Sequence, residues 1–335
     1  MLKMFHDYES AGSSSAYWES MWGDLEAAAY ADDARRHCEA SPLWSLVTSK
    51  VQRDRLFIDG GCGHGYWVKC LHDRGQKAAG VDFAERTLEQ IRRIDPSLDV
   101  RRGDVRALPF EDGEVHVYYS GGVVEHFEEG PTAALREARR VIAPDGWFLC
   151  SVPDVSPLRK HLLYRAASET HGVRNGPLFV QRASRTSLDP SRDASGGSRR
   201  FFQYAFEESE FLEHLQRAGF SVVETFGESF VWGFLEIDPV RRLHDRAMAV
   251  WRHWRRANGH SREHRITGSV DDGNAPQGAR QSLRTLPRRA LMNEDRSIPV
   301  LGGAVGLAAE FAANLRMYVA RPSTEAGSLA QTPRQ

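Results

Sequence analysis

The feature that most constrains this chain is a glycine-rich stretch at residues 59–65, which reads Asp-Gly-Gly-Cys-Gly-His-Gly directly after the apolar run 56–58. An apolar run that ends in an acid and a glycine-rich turn predicts a β-strand leading into a nucleotide-binding loop. Glycine reaches backbone conformations closed to other residues, and it lets a ligand approach the main chain closely. We therefore expect an α/β fold with a ligand site at this loop.

The glycine spacing separates two classes of nucleotide ligand. A dinucleotide-binding loop requires Gly-x-Gly-x-x-Gly, but the position of the third glycine is occupied by Tyr66. The observed pattern is Gly-x-Gly-x-Gly over residues 61–65. Asp82 ends a second short apolar run, 23 residues after Asp59. An acid at that distance can accept hydrogen bonds from ribose hydroxyls, but NAD-dependent enzymes use the same acid, so Asp82 alone does not separate the classes.

Further strand and loop units follow at regular spacing. The sequence predicts a third strand at 99–102 before Gly103-Asp104-Val105, a fourth at 115–120 before Gly121-Gly122, a helix at 133–142, and a fifth strand at 147–153. This order and spacing resemble the class I S-adenosylmethionine-dependent methyltransferases from residue 56 to about residue 153. An aromatic run at 201–206, an acid-rich helix start and a sixth strand at 221–226 extend the resemblance to about residue 227.

The resemblance implies both the architecture and the cofactor. It implies a Rossmann-like α/β fold: a seven-stranded, mostly parallel sheet with helices on both faces, a final antiparallel strand, and lid insertions. S-adenosylmethionine is the implied cofactor. The implied binding residues are Asp59, Gly60, Gly61, Cys62, Gly63, Asp82, Phe83, Asp104, Val105, Ser120 and Gly121.

The resemblance also assigns these residues to different parts of the cofactor. The two glycines 61 and 63 are expected to approach the methionine part, and Asp82 to hold the ribose. The pair at 104–105 is expected to flank the adenine, and the pair at 120–121 to line the other side. Simpler roles stay open: Asp82 suits a helix N-cap, Asp104 can hold a turn, and Cys62 fits a tight loop better than it fits a nucleophile.

Methyl transfer itself requires alignment more than a particular side chain. The nucleophile must attack in line with the departing sulfur, so positioning and exclusion of water supply much of the catalysis. His126, after the fourth strand, is the candidate general base, although packing or a hydrogen bond at a helix start is the explanation that the sequence favours. Some relatives bind a divalent cation through Glu-x-x-Glu-His here. Gly122 stands at the first Glu position, so no metal site is predicted.

The rest of the chain divides around this core. Residues 1–54 are expected to form an N-terminal helical cap, with Tyr17, Trp18 and Trp22 at helical spacing. These aromatics fit simple packing, and a role in covering the pocket is compatible with it. The expected segments are the core at 55–153, a partly mobile insertion at 154–200, the core helix and sixth strand at 201–228, a second insertion at 229–310, the last strand at 311–322, and a disordered tail at 323–335.

The second insertion carries a basic, tryptophan-bearing segment. Residues 241–265 contain eight arginines against two acids. A lid helix with arginines in water, an anion-binding surface for a small molecule or glycan, and a nucleic-acid surface are all compatible with this pattern. Candidate acceptor-binding residues are Tyr17, Tyr204 and Trp232.

Composition favours a cytoplasmic enzyme that acts on a small molecule. The net charge of −1 gives no global attraction to nucleic acid or membranes, the four cysteines lack metal-type spacing, and neither a signal peptide nor an apolar run of spanning length is visible. The expected acceptor is a sugar, a glycolipid precursor or a secondary metabolite, in some cases anionic, with oxygen slightly ahead of nitrogen. The alternatives are methylation of RNA or protein, an NAD-dependent oxidoreductase, and a non-catalytic scaffold.

Overall fold

The structure is a computed structural model and describes residues 1–6, 15–161, 173–175, 178–182, 200–228 and 314–323. The strands are β1 (Leu2–His6), β2 (Leu56–Gly60), β3 (Ala78–Asp82), β4 (Asp99–Arg102), β5 (Val115–Gly121), β6 (Ile142–Pro153), β7 (Val173–Asn175), β8 (Leu178–Arg182), β9 (Arg200–Ala205), β10 (Phe220–Glu228) and β11 (Leu315–Pro322). The helices are α1 (Ser15–Trp22), α2 (Tyr30–Ala40), α3 (Trp44–Lys50), α4 (Tyr66–His72), α5 (Glu85–Ile94), α6 (Thr132–Val141), α7 (Pro157–Arg159) and α8 (Glu208–Arg217), with a 3₁₀ helix at Val124–His126.

Seven strands form the central sheet, in the order β10-β11-β6-β5-β2-β3-β4. The pairs among β2 to β6 are parallel, whereas β11 runs antiparallel to both β6 and β10. This is the mostly parallel Rossmann-like sheet with one antiparallel strand that the family resemblance implied, and it confirms the fold class. Each predicted core strand is present, with ends that shift by a few residues.

Helices cover both faces of this sheet because its strands alternate apolar residues between two cores. Phe57 and Val117 face one core with Leu71 of α4 and Leu88 of α5. On the other face Ile58 and Tyr118 pack with side chains of α6 and α8, including Leu135 and Phe211. A parallel sheet enclosed in this way leaves the carboxyl ends of its strands as the place where polar side chains converge.

A second, smaller sheet lies outside the prediction. Its order is β7-β8-β1-β9, all antiparallel, with β1 in the middle. The N-terminal segment, predicted as helical, therefore begins with a strand, and the aromatic run at 201–206 contributes β9. The first insertion contributes β7 and β8. Strand β1 pairs with β8 and β9, which lie about 175 and 200 residues further along the chain. Local sequence patterns do not indicate such pairing, because they describe one strand at a time and not its hydrogen-bonding partner.

Candidate functional site

The glycine loop follows β2 and turns sharply into α4. Gly61, Gly63 and Gly65 all have positive φ, at 81°, 49° and 65°. The backbone N–H groups of Gly61 and Cys62 both donate to the carbonyl oxygen of Val81 at the end of β3, at 2.7 and 3.1 Å. A Cβ at residue 61 would overlap the side chain of Val123, which follows β5. The loop therefore needs glycine both for its conformation and for its close contact with the neighbouring strand end.

Asp82 fastens this loop to the end of β3. One carboxylate oxygen accepts the N–H of Gly63 at 2.8 Å, and the other accepts the N–H of Ala84 at 2.9 Å. Burial raises the pKa of this carboxyl, and these backbone hydrogen bonds oppose the rise. Helix α5 begins at Glu85 with Ala84 as its N-cap, so Asp82 is not the helix cap. A backbone hydrogen bond from Phe83 also lowers the pKa of this carboxyl, and a ribose hydroxyl can use a lone pair that these bonds leave.

Asp59 is a buried carboxyl beside Asp82, at the end of β2. Only 4% of it is exposed, and burial, together with the neighbouring charge of Asp82, raises its pKa to about 8. A carboxyl in that condition is mostly protonated at neutral pH, and a nearby cation would favour its ionised form. The two acids give this edge of the sheet a strong preference for a cationic or hydroxyl-bearing ligand.

The remaining predicted cofactor residues occupy the same edge with different degrees of exposure. Asp104 is half-exposed, accepts the N–H of Arg106 at 2.8 Å and pairs with the guanidinium of Arg106, which lowers its pKa. This is the turn-holding role that the sequence left open. The oxygen Oγ of Ser120 is fully buried and has no hydrogen-bond partner within the described ranges. A buried polar atom without a hydrogen bond costs folding free energy unless a ligand or a water molecule supplies that bond.

The other predicted positions show how tightly the loop is enclosed. Added Cβ atoms at Gly60 and Gly121 would overlap the hydroxyls of Tyr118 and Tyr119, respectively. Cys62 and Val105 are buried, and Phe83 is half-buried. Burial raises the pKa of the Cys62 thiol, which agrees with a loop-filling role and not with a nucleophile.

Helix α1 lies across this edge through an aromatic layer, which we define as Tyr17, Trp18, Trp22, His64, His126 and Phe202. The indole of Trp22 faces Gly63 so closely that a Cβ there would be 2.7 Å from the ring. The ring centroids of Trp18 and His126 are 4.9 Å apart, and those of Tyr17 and Phe202 are 6.0 Å apart. The ring nitrogen Nε2 of His64 lies 2.9 Å from the carbonyl oxygen of Trp22. The aromatic layer therefore packs against the glycine loop, and its role in covering a pocket stays a prediction.

His126 lies in this layer at the end of β5, with a fixed orientation. Its Nδ1 lies 2.8 Å from the carbonyl oxygen of Phe202. Because a carbonyl only accepts, Nδ1 carries the proton and donates it, and Nε2 carries the lone pair. The side chain is 9% exposed, and burial lowers its pKa to about 4. The imidazole is therefore neutral at physiological pH, which a proton acceptor requires.

Glu125, next to His126, is a second buried titratable group. Its carboxyl is 2% exposed, and burial raises its pKa to about 8. One oxygen, Oε1, lies 3.9 Å from Nε2 of His126, and the other, Oε2, has no hydrogen-bond partner among the described residues. No group of three or more His, Cys, Asp or Glu side chains in the described part of the chain is arranged to hold a metal ion.

The candidate acceptor residues fall in three different situations. Tyr17 is half-buried in the aromatic layer, beside Phe202. Tyr204 is 1% exposed in the core, and its hydroxyl donates to the carbonyl oxygen of Glu128 at 2.7 Å, which favours packing. Trp232 lies outside the described residues, as does the basic segment 241–265.

Three further residues beside the proposed site were not singled out from the sequence: Phe202, His64 and Val123. Only the aromatic run that contains Phe202 gave a local signal.

Comparison with known proteins matches this chain to methyltransferases. Residues 58–150 match the model of the methyltransferase domain. The chain is 27% identical over 184 residues to a protein of Mycolicibacterium smegmatis described as a probable S-adenosylmethionine-dependent methyltransferase, covering 55% of this chain and 59% of that protein. It is 32% identical over 123 residues to a malonyl–acyl-carrier-protein O-methyltransferase of Serratia marcescens, covering 37% and 47%.

These matches cover only part of each molecule. The chain spans about half the length of the two relatives, at 59% and 47%. A solved S-adenosylmethionine-dependent methyltransferase from Mesorhizobium loti aligns with 85% of this chain and 99% of its own, at 14% identity and a TM-score of 0.43. Among the described residues, no helix has the length and apolar character needed to cross a membrane.

Proposed function

Because the chain belongs to the class I S-adenosylmethionine-dependent methyltransferase family, we propose that it transfers the methyl group of S-adenosylmethionine to an oxygen or nitrogen atom of a small molecule. One observation carries the proposal: the glycine loop, the buried acids Asp59 and Asp82, and the oriented imidazole of His126 converge at one edge of the sheet. The family match supports the cofactor, and the geometry at this edge supports its proposed place.

The side chains at this edge fit the chemistry of that cofactor. An ammonium group in the methionine part would pair with Asp59, whose raised pKa shows that the protein alone leaves this carboxyl poorly stabilised as an anion. The ribose hydroxyls would donate to the second lone pairs of Asp82. Asp104 and Val105 remain the proposed neighbours of the adenine, and Ser120 and Gly121 remain the proposed lining on the other side.

The catalytic contribution of the chain is alignment, exclusion of water and acceptance of one proton. When bound, S-adenosylmethionine supplies an electrophilic methyl group on a positively charged sulfur. The aromatic layer covers the loop and would keep water from the reacting atoms. His126, held through its Nδ1–H, would present Nε2 to the acceptor hydroxyl and receive its proton.

The proposed acceptor is a small hydroxylated or amino compound, such as a sugar, a glycolipid precursor or a secondary metabolite, and anionic members are included. The near-neutral net charge of −1 disfavours a polyanionic acceptor. Oxygen is placed ahead of nitrogen, because His126 is arranged to accept a proton and because a matched relative is named as an O-methyltransferase. RNA and protein acceptors remain the alternatives.

Two rival functions predict other observations. An NAD-dependent oxidoreductase would need a third glycine where Tyr66 begins α4. A non-catalytic scaffold would not need the fixed tautomer of His126, although it could retain the cofactor loop. Neither rival accounts for the acids and the imidazole at the same edge as simply as methyl transfer does.

The affinity for S-adenosylhomocysteine should rise with pH through the titration of Asp59. Its carboxyl has a pKa of about 8 in the ligand-free protein, so binding of a ligand ammonium releases a proton. Between pH 6 and 7.5 the dissociation constant should fall by up to about tenfold per pH unit. Calorimetry in two buffers with different ionisation enthalpies measures the released proton. Asp59→Asn should flatten this dependence, whereas Asp99→Asn on the exposed end of β4 should keep it.

The same raised pKa carries a stability consequence with a defined sign. The folded protein binds more protons than the unfolded chain between the ordinary Asp pKa of about 4 and the folded value of about 8. Asp59 therefore makes the ligand-free protein less stable as pH rises through that window.

For the affinity, a dissociation constant of the wild type that does not change with pH, or the same pH dependence in Asp59→Asn, would contradict the pairing of Asp59 with the ligand ammonium.

Substitution of His126 tests the proposed base. His126→Phe keeps an aromatic ring in the layer but removes the acceptor nitrogen, so kcat should fall by about 10²- to 10⁴-fold with little change in cofactor affinity. Because its pKa is about 4, the wild-type kcat should show no inflection near pH 6.5 from this residue. His214→Ala, on α8, is the matched control and should retain activity. Full activity in His126→Phe would leave His126 with a packing role only.

The acceptor class is tested by following S-adenosylhomocysteine release. Purified protein is incubated with S-adenosylmethionine and, in parallel, with hydroxylated small molecules, amino compounds, structured RNA and protein. We expect acceptor-dependent release with a member of the first two groups, and none from Asp82→Ala. Turnover on structured RNA, with no turnover on any small hydroxylated or amino acceptor, would refute the acceptor class while leaving the cofactor assignment standing.

A further inference from the structure

Two cysteines that are not among the proposed site residues lie together between the N-terminal helix α2 and the core helix α4. Cys38 is 0% exposed on α2, and Cys70 is 8% exposed on α4; both are free thiols. The two helices pack directly against each other over one face of the sheet. No step of the proposed reaction uses either thiol.

Hydrogen bonding locates Cys38 beside the helical turn that carries Cys70. The Sγ atom of Cys38 lies 3.4 Å from the carbonyl oxygen of Tyr66, to which it donates. In an α-helix that carbonyl also accepts the N–H of the residue four positions later, which is Cys70. The two thiols are close enough to interact, and this interaction raises the pKa of Cys38 and lowers that of Cys70.

A cation stands next to the pair. Arg74, just beyond α4, lies 3.6 Å from the carboxylate of Glu39, the residue that follows Cys38, and its guanidinium lies 4.3 Å from the centre of the Trp44 ring. Its positive charge acts to lower the pKa of both thiols, although the pKa of Cys38 is raised overall and the carboxylates of Asp73 and Glu39 act to raise that of Cys70. A slightly exposed thiol beside an arginine and a second thiol is the environment that favours a reactive thiolate.

We propose that Cys38 and Cys70 form a redox modification site, at which a peroxide joins α2 to α4 through a disulfide bond. The Cys70 thiolate attacks one peroxide oxygen, the O–O bond breaks, and Cys70 becomes a sulfenic acid. Cys38 then attacks that sulfur and displaces its oxygen, which leaves as water after protonation. In sum, two thiols and one hydrogen peroxide give one disulfide and two water molecules.

The other two cysteines lack this environment. Cys62 lies in the glycine loop and Cys150 in β6, and burial raises the pKa of both thiols well above the usual value. No other thiol contributes to the pKa shift of either one. The modification is therefore selective for one pair out of the four cysteines.

A disulfide here would act on the proposed cofactor loop through α2. The hydroxyl of Tyr30, the first residue of α2, donates to the carbonyl oxygen of His64 in that loop at 2.9 Å. Tyr66, whose carbonyl contacts Cys38, is the first residue of α4 after the loop. Tying α2 to α4 would thus fix the helices on both sides of the loop, whether or not the chain is a methyltransferase.

Peptide mapping tests the site. Fully reduced wild-type protein is treated with hydrogen peroxide, alkylated under denaturing conditions and digested without reduction. We expect a peptide pair joined through Cys38 and Cys70, two hydrogens lighter than the reduced pair, with Cys62 and Cys150 alkylated. The unfolding midpoint should rise by about 5 °C and return on reduction with dithiothreitol. Four alkylated cysteines after oxidation, or a link between another pair, would overturn the proposal.

The variant Cys38→Ser separates the two chemical steps. Because this variant keeps Cys70 but lacks its partner, the sulfenic acid should persist and react with dimedone at Cys70. Cys38→Ala lacks any group that can hydrogen-bond to Cys70, so it should form the same adduct more slowly than Cys38→Ser does. Absence of a dimedone adduct at Cys70 in both folded variants would overturn the assignment of Cys70 as the attacking thiolate.

Discussion

Asp82→Ala should weaken the binding of S-adenosylhomocysteine by at least about a hundredfold. The carboxylate accepts backbone hydrogen bonds that include those from Gly63 at 2.8 Å and Ala84 at 2.9 Å, which fix the glycine loop against the end of β3. Hydrogen bonds to a charged group contribute about 1.5–3 kcal/mol each, and a hundredfold change in affinity corresponds to about 2.8 kcal/mol. The proposed contact with the ribose would be lost as well. Isothermal titration calorimetry measures the ratio.

The control variant removes a different carboxylate of the parallel sheet, one that does not hydrogen-bond to the glycine loop. Asp99 begins β4, is 43% exposed and pairs with Arg101 at 2.7 Å. Asp99→Ala should bind S-adenosylhomocysteine as the wild type does, since exposed ion pairs contribute little to stability. Wild-type affinity in a folded Asp82→Ala protein would show that Asp82 is not part of a cofactor site.

Gly61→Ala should both destabilise the fold and abolish measurable cofactor binding. Gly61 has a φ of 81°, where an alanine costs about 1–2 kcal/mol, and its added Cβ would overlap the side chain of Val123. Overpacking of this kind costs about 1–3 kcal/mol more. The free energy of unfolding should fall by about 2–5 kcal/mol. Chemical denaturation measures the fall, and calorimetry measures the lost binding.

Two further variants divide that effect into its causes. Gly75 has a similar φ of 74°, but its added Cβ would meet only the flexible end of Arg53, at 3.3 Å. Gly75→Ala should therefore destabilise by about 1–2 kcal/mol with unchanged cofactor affinity. Adding Val123→Ala to Gly61→Ala should relieve the steric overlap but leave the backbone strain at residue 61. Equal stability losses in Gly61→Ala and Gly75→Ala, with binding intact in both, would contradict the proposed role of this contact.

The core of the fold was predictable because its signals are local. Each parallel strand is a short apolar run that ends at a glycine or an acid, and the residues at those ends necessarily meet at one edge of the sheet. Asp59, Asp82 and Ser120 could be placed together on that ground. The structure adds their state: a carboxyl with a raised pKa, a carboxylate fastened to the loop, and a buried hydroxyl without a partner in the described residues.

The surroundings of that edge were not predictable, because they depend on contacts between distant parts of the chain. β1 joins β9 across about 200 residues, and the carbonyl of Phe202 fixes the ring of His126. No local pattern indicated that this histidine would be neutral and oriented, or that Trp22 would lie on Gly63. The burial of Tyr204, a candidate acceptor-binding residue, was likewise not indicated by its sequence.

The central claim is that the glycine loop binds S-adenosylmethionine and its product. The most direct measurement is a calorimetric titration of the purified wild-type chain at pH 7.5 with S-adenosylhomocysteine, with NAD as the comparison ligand. We predict one site with a dissociation constant in the micromolar range for S-adenosylhomocysteine, and no binding of NAD. Binding of NAD instead, or binding of neither ligand by a folded protein, would contradict the assignment of this edge as a methyltransferase cofactor site.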